Sequence, residues 1–247
     1  MERLTRRALR QALSDGRRVL GTFVKLPAVD VVELARSAGF DFVVVDLEHS
    51  ALSESDALAL VRHASVLGLP ALVRVPHVDA ATINRLLENG AAGIQLSMLR
   101  TTAQRDALVA ATRYAPGGTR SISLAQHSAG FGGEPLADYL KREAHEAPIL
   151  IGQLETASTD PLDQLLTGLD VCFVGTTDLS VDLGDAPVSA AVARLAAAAH
   201  EAGIAFGGWA PSVPGAAELG LGDATYLVIG SDLQILANGL RGSVDGA

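Results

Sequence analysis

Along the chain, short apolar and β-branched runs alternate with Ala- and Leu-rich stretches of helical spacing, with Gly, Asp or Pro at the joins. The strand-like runs fall at 20–25, 42–46, 71–75, 93–98, 148–154, 171–175, 205–209 and 226–229. Helical spacing is predicted at 29–38, 55–66, 79–89, 102–112, 158–167, 187–202 and 212–219, with a last helix from 232. Asp79, Ser158 and Ser212 stand where N-cap side chains belong, and Gly39, Gly90, Gly203 and Gly220 close helices at their C-terminal ends. Eight strands alternating with helices predict a parallel sheet closed as a single (β/α)8 TIM barrel over 1–247. The competing open, doubly wound sheet lacks its glycine-rich turn after the first strand. One stretch breaks the rhythm. Residues 115–147 hold the loop-like PGGTRSIS and AGFGG and a helical LADYLKREAHE, and their length assigns them to the mouth of the barrel.

Composition narrows the function classes. A net charge of −9 argues against nucleic acid as the main partner, because phosphate neutralisation needs a clustered basic face. The basic residues that do cluster lie in 1–18, an amphipathic helix expected to be solvated or to contact another subunit. That helix lacks the apolar core of a signal peptide, and no apolar run reaches the roughly 20 residues of a membrane span. A cytoplasmic protein with no membrane partner is the expectation. The single cysteine, Cys172, excludes an intrachain disulfide and sits in VCFVG as a core residue. Lysine is scarce: Lys25 and Lys141 only.

Ionisable residues gather at strand ends. The second strand closes on Asp46, Glu48 and His49, the third carries Arg74, the fifth ends in Gln153 and Glu155, and the sixth ends in Asp178. In a parallel barrel these positions share the rim where such folds place their chemistry. Each acid alone is equally readable as a helix cap or an arginine partner. Together, Glu155 and Asp178 could offer oxygen ligands to a hard divalent cation. His49 can carry a proton near neutral pH, and Arg74 offers a fixed cationic fork for a carboxylate or developing enolate. Such a set suits proton abstraction or C–C bond chemistry beside a carbonyl. His63, His145 and His200 read as surface or packing residues, while His77 and His127 are weaker candidates in loops near the expected mouth. A phosphate-binding barrel ranks lower, since GGWAPSVPG and VIGSD offer no clear cradle.

In order, DFVVVDLEHS, LVRVP, LLENGAAGI, YAPGGTRS, QLETAS, VGTTDLSVDLG and VIGSD resemble the HpcH/HpaI aldolases, over about 21–239. These are class II pyruvate aldolases that cleave 4-hydroxy-2-oxo acids. The resemblance implies a (β/α)8 barrel, typically hexameric, using Mg2+, Mn2+ or Co2+. It places the metal carboxylates on Glu155 and Asp178, a water-holding carboxylate on Asp46, enolate stabilisation on Arg74 and acid–base chemistry on His49. The aspartate partner of that histidine falls on Glu88. Gln153 matches a glutamine at the substrate, and the amides of Thr177 and Asp178 match those receiving the pyruvate carboxylate. Glu48 has no ligand role in the pattern and is expected to make a structural hydrogen bond. Thr176, Ser97 and Gln126 depart from the family pattern, which bears on specificity.

The implied reaction is reversible cleavage of a 4-hydroxy-2-oxo acid to pyruvate and an aldehyde by a homo-oligomer, a hexamer or trimer. The aldehyde is expected to touch the 115–147 segment. A Schiff-base route needs a lysine at a strand end, and Lys25 is the sole, poor candidate. Two alternatives stand beside it: an acyl-CoA lyase, for which no basic cluster is evident, and a non-catalytic barrel that binds an oxo acid without turnover.

Overall fold

A computed structural model describes residues 5–157 and 159–244. Eight parallel strands close into a barrel in sequence order, β1 to β8, with β8 paired back to β1. They are β1 (Val19–Val24), β2 (Phe42–Asp46), β3 (Ala71–Val75), β4 (Gly93–Leu96), β5 (Ile149–Leu154), β6 (Val171–Val174), β7 (Ala205–Ala210) and β8 (Tyr226–Ser231). Around them lie α1 (Arg6–Ser14), α2 (Val29–Ala38), α3 (Glu54–Leu67), α4 (Ala80–Glu88), α5 (Thr102–Thr112), α6 (Leu136–His145), α7 (Leu162–Leu165), α8 (Thr176–Leu183), α9 (Val188–Glu201) and α10 (Asp232–Val244). Residues 127–132 and 214–219 form short 3₁₀ segments. No helix among the described residues is long and apolar enough to cross a membrane.

Strand alternation builds two apolar shells. One set of side chains packs outward beneath the helices, including Val43, Val45, Val73, Ile94, Leu150 and Cys172. The other set, with Phe42, Val44, Leu72, Ile151, Phe173, Tyr226 and Val228, fills the barrel interior. Phe42 stacks on Tyr226 with ring centroids 4.6 Å apart, and a Cβ on Gly21 would collide with the Phe42 ring. Burial pushes the Cys172 thiol up to about 12, as befits a core residue. Following the inward positions up each strand, the apolar filling gives way to polar groups: Phe42, Val44, then Asp46; Leu72, then Arg74; Ile149, Ile151, then Gln153.

The N-terminal helix is solvated on one face, at Arg7, Gln11 and Ser14, and packed on the other. Leu9, Ala12 and Leu13 of α1 plug the bottom of the barrel, while Arg6 and Arg10 reach the acids Glu143 and Asp170. The long irregular segment is also placed differently from expectation. It joins the C-terminal end of α5 to the start of β5, so it lies at the bottom of the barrel, away from the mouth. Its contacts agree: Ser128 Oγ donates to the carbonyl of Leu87 at 2.8 Å, and Arg113 donates to that of Pro148 at 3.0 Å. Length had marked the segment as unusual, but only its position between helix and strand decides which face it serves.

Two further elements differ. The helix expected over 158–167 is only Leu162–Leu165, since Pro161 forbids an earlier helical start and Gly168 turns left-handed at φ 79°. Ser158 lies outside the described residues. Conversely, TTDLSVDL forms α8, whose β-branched and acidic residues hide helical spacing. Asp79 caps as expected, accepting from the amide of Thr82 at 2.6 Å. The helix expected over 212–219 is instead a 3₁₀ segment with Val213 at its N-cap, and Ser212, one residue earlier, accepts from the amide of Gly215 at 3.1 Å. Gly39 and Gly220 close their helices in the left-handed conformation.

Glu143 holds the bottom together, bridging the buried Arg120 at 2.9 Å, Arg6 at 3.1 Å and Arg142 at 3.2 Å. Glu143→Ala would leave the Arg120 guanidinium buried without a counter-charge, at a cost of about 3–5 kcal/mol. Glu134→Ala, which breaks only a partly exposed pair with Arg142, is expected to cost under about 1 kcal/mol. Urea titration of the two variants tests the contrast, and equal losses would contradict it.

Candidate active site

At the C-terminal mouth of the barrel lies a cavity of about 500 Å³, lined among others by Lys25, His49, Arg74, Gln153, Asp178 and Trp209. Two clusters face each other across it. The first is built on the ends of β1, β2 and β3. Asp46 is fully buried, and its carboxylate takes both forks of Arg74, Nε at 2.8 Å and Nη2 at 2.6 Å. The backbone amides of Glu48 and His49 donate to the same carboxylate at 3.0 and 3.2 Å, and the Lys25 ammonium stands 3.2 Å away. Burial alone would raise the Asp46 carboxyl; the bonds and charge of Arg74 and the two amides outweigh it and hold it at about 2. Phe23 lies under the guanidinium, 4.4 Å from ring centroid to Cζ.

This saturation defines the roles of the neighbours. Asp46 anchors Arg74 and closes the loop that carries His49, whose side chain is 60% exposed. Lys25 also donates to the carbonyl of His49 at 3.1 Å. Its ammonium is thus engaged in an ion pair, whereas a Schiff-base lysine must present a neutral amine. Glu48 departs from expectation. Its Oε2 is buried without a hydrogen-bond donor among the described residues, 3.4 Å from Arg74 Nη1 and 3.7 Å from His49 Nε2.

The second cluster is built on the ends of β4, β5 and β6. Glu155, 2% exposed, accepts from the amide of Met98 at 2.7 Å and from Gln153 Nε2 at 2.5 Å. Met98 adopts a left-handed φ of 49°, uncommon for a residue with a side chain, and that turn aims its amide at the carboxylate. Gly175 is required beside it, because a Cβ there would collide with the Glu155 carboxylate. Burial raises the Glu155 pKa, and the nearby charges of Glu48 and Asp178 add to the rise, outweighing the two donors. Thr177 and Asp178 are in the first turn of α8, beyond the end of β6, where helix amides have no intrahelical partner.

Among the described residues no three His, Cys, Asp or Glu side chains converge closely enough to hold a metal ion by themselves. The donor set nevertheless fits a hard divalent cation, which takes one or two carboxylates and leaves the other positions to water and substrate. A buried carboxylate crowded by two other acids is the electrostatic environment such an ion relieves.

Glu88 is not in this site. It ends α4 at the bottom of the barrel, with Asn84 Nδ2 at 3.3 Å, while His49 follows β2 at the top. His127 is also at the bottom, bonded to Ser65 at 3.2 Å, and His63 pairs with Glu33 at the surface. Gln126 belongs to the same bottom segment, donating to the Tyr139 hydroxyl at 3.1 Å. Ser97 Oγ donates to the carbonyl of Val75 at 2.9 Å, and Thr176 lines the cavity. Sequence reasoning missed Gln95, which is fully buried and donates to Gln153 Oε1 at 2.6 Å. Its signal was its register, paired in the sheet with Arg74.

The sequence profile of the HpcH/HpaI aldolase/citrate lyase family matches residues 19–239. The chain belongs to this family. It is 31% identical to a hydroxypyruvate/pyruvate aldolase of Sagittula stellata, over 73% of this chain and 72% of that protein. To a 4-hydroxy-2-oxovalerate aldolase of Novosphingobium aromaticivorans it is 32% identical, over 80% and 79% of the two chains. The solved structure of an HpcH/HpaI aldolase/citrate lyase family protein from Burkholderia cenocepacia superposes with a TM-score of 0.86 at 27% identity, covering 96% of this chain and 98% of that one.

The Asp46 carboxyl supplies a pH signature. Because its folded pKa, about 2, is below the ordinary 3.8, the unfolded chain takes up the proton first on acidification. The stabilisation is therefore full above the unfolded value and is lost as the pH falls from about 4 through 2, amounting to roughly 2.5 kcal/mol. Urea unfolding across that window should show Asp46→Asn with a flatter loss of stability than the unaltered chain. Parallel curves would remove this role.

Proposed function

We propose that this protein is a divalent-metal-dependent aldolase that reversibly cleaves a 4-hydroxy-2-oxo acid to pyruvate and an aldehyde. The observation that carries the reading is the facing of two clusters across one cavity: Gln153 and Asp178 on one wall, with Glu155 bonded behind Gln153, and Arg74 and His49 on the other. The names of its relatives support the same reaction class. Glu155 and Asp178 would hold a Mg2+, Mn2+ or Co2+ ion, which would supply a Lewis acid for the oxo-acid end of the substrate. The first-turn amides of α8 at Thr177 and Asp178 receive the substrate carboxylate.

The chemistry of the remaining residues follows from where each is held. His49 accepts the proton of the C4 hydroxyl. The C3–C4 bond then breaks, its electron pair moving into the C2–C3 bond as C4 becomes the aldehyde carbonyl. Negative charge develops on the C2 oxygen, where Arg74 stands, already oriented by Asp46 and costing no reorganisation. Protonation at C3 completes pyruvate. The cations lining the cavity, Lys25 and Arg74, both sit on the one acid Asp46 and form no basic surface, which disfavours the acyl-CoA alternative.

The protein acts as a homo-oligomer, a hexamer or trimer, in this reading. Helix α10 exposes Ile235, Leu236, Leu240 and Val244 while burying only Asp232, an apolar face that a second copy would cover. Assembly also reconciles the resemblance with the fold. Glu88 cannot reach His49 of its own barrel, so its part in acid–base chemistry is exercised on His49 of a second copy.

Chelation should abolish pyruvate release from a 4-hydroxy-2-oxo acid, and Mg2+, Mn2+ or Co2+ should restore it; activity that survives chelation would overturn the metal role. His49→Ala should lower kcat by about 10² to 10⁴ while leaving the unfolding midpoint unchanged, since the imidazole is exposed. Reassociating His49→Ala with Glu88→Ala subunits should regain activity that neither has alone. No recovery, or a fully active Glu88→Ala protein, would remove the shared site.

A further inference from the structure

The carboxylate of Glu155 fixes the orientation of two side-chain amides in turn. An ionised carboxylate only accepts, so Gln153 must offer its NH2 to Glu155, at 2.5 Å. Its carbonyl oxygen is thereby turned toward Gln95, which must offer its own NH2, at 2.6 Å. The chain of amides ends there, with Gln95 Oε1 buried and lacking any donor among the described residues. All three side chains are nearly or completely withdrawn from solvent, so no member of the series can exchange its partner for bulk water.

A buried acceptor without a donor costs about 1–3 kcal/mol. An apolar side chain would fill the same inward position of β4 without that cost, as Ile151 does at the paired position of β5. What the glutamine provides is the hydrogen bond to Gln153. Without it, the Gln153 amide is held at its NH2 end alone, by Glu155, and its carbonyl end is free to swing.

We propose that Gln95 is a positioning residue for the cation site: it locks the Gln153 amide so that its NH2 faces Glu155. The Gln153 amide carries two N–H groups, and with one on Glu155 the second projects from the cavity wall toward the substrate. Gln95 thus acts on both the carboxylate and the substrate contact, and only through Gln153. The inference rests on the divalent-cation reading of Glu155 and Asp178.

The test is Mn2+ binding to the purified full chain, read by electron paramagnetic resonance of free Mn2+ without substrate. Gln95→Met, close in shape but unable to hydrogen bond, should weaken Mn2+ binding about tenfold or more. Its unfolding midpoint without metal should match the unaltered protein, because the unpaired oxygen is removed as Gln153 loses its donor. Gln153→Met should weaken binding as well, and adding Gln95→Met to it should cause no further loss, the signature of one residue acting through the other. Unchanged Mn2+ affinity in Gln95→Met, or additive losses in the double variant, would overturn the proposal. Should Gln95→Met not fold, Gln95→Leu takes its place, and failure of both to fold would assign Gln95 to the core and overturn it equally. Absence of Mn2+ binding by the unaltered protein would instead sink the cation reading itself.

Discussion

A carboxylate with no exposure to water, gripped by an arginine fork, is the constraint from which the mouth of this barrel is built. Burying Asp46 is tolerable only because Arg74, Lys25 and two backbone amides compensate for lost hydration. The same bonds have consequences beyond charge balance. They hold the guanidinium rigid on one wall of the cavity, and they fold the loop after β2 so that His49 emerges into solvent contact. An arginine that had to be oriented during reaction would lose much of its electrostatic value. Here the orientation is fixed during folding.

The opposite wall follows a different rule. Glu155 is held by neutral donors, the Met98 amide and Gln153, so its negative charge is positioned without being cancelled. Burial and the neighbouring acids push its pKa up, the reverse of Asp46. Two buried carboxylates a short way apart are thus tuned in opposite directions, one by a paired cation and one by the want of it. That division separates the anchoring acid from the acid that can serve a cation.

The barrel was legible because strand and helix periods differ, and the gathering of polar residues at strand ends foretold that Asp46, Arg74 and Gln153 share one rim. Gln95 lies inside the apolar run GIQL and not at its end, so it drew no notice. The helix α8 was hidden because TTDLSVDL scores poorly by propensity and gains its helicity from burial of Leu179 and from its place after β6. The 115–147 segment and the position of Glu88 within its own barrel were illegible for a common reason. Sequence distance gives length and residue type, but which end of a barrel a residue occupies depends on whether it precedes or follows a strand, and Glu88 precedes β4.

The two ends of the barrel differ most in the sign of what they leave unpaired. At the bottom, the buried atoms without partners include Arg10 Nε and Arg120 Nη2, donors on guanidinium groups whose other nitrogens are paired to Asp170, Glu143 and Asn84. Toward the top they include Glu48 Oε2 and Gln95 Oε1, both acceptors. A spare guanidinium nitrogen in a closed ion network asks for nothing that enters from outside. The bottom is a lock that joins α1, α6 and the strands. The top is left short of positive charge by the same fold that supplies it in excess at the other end of the strands. That asymmetry, more than any single residue, is why binding and chemistry belong at the C-terminal mouth of this chain.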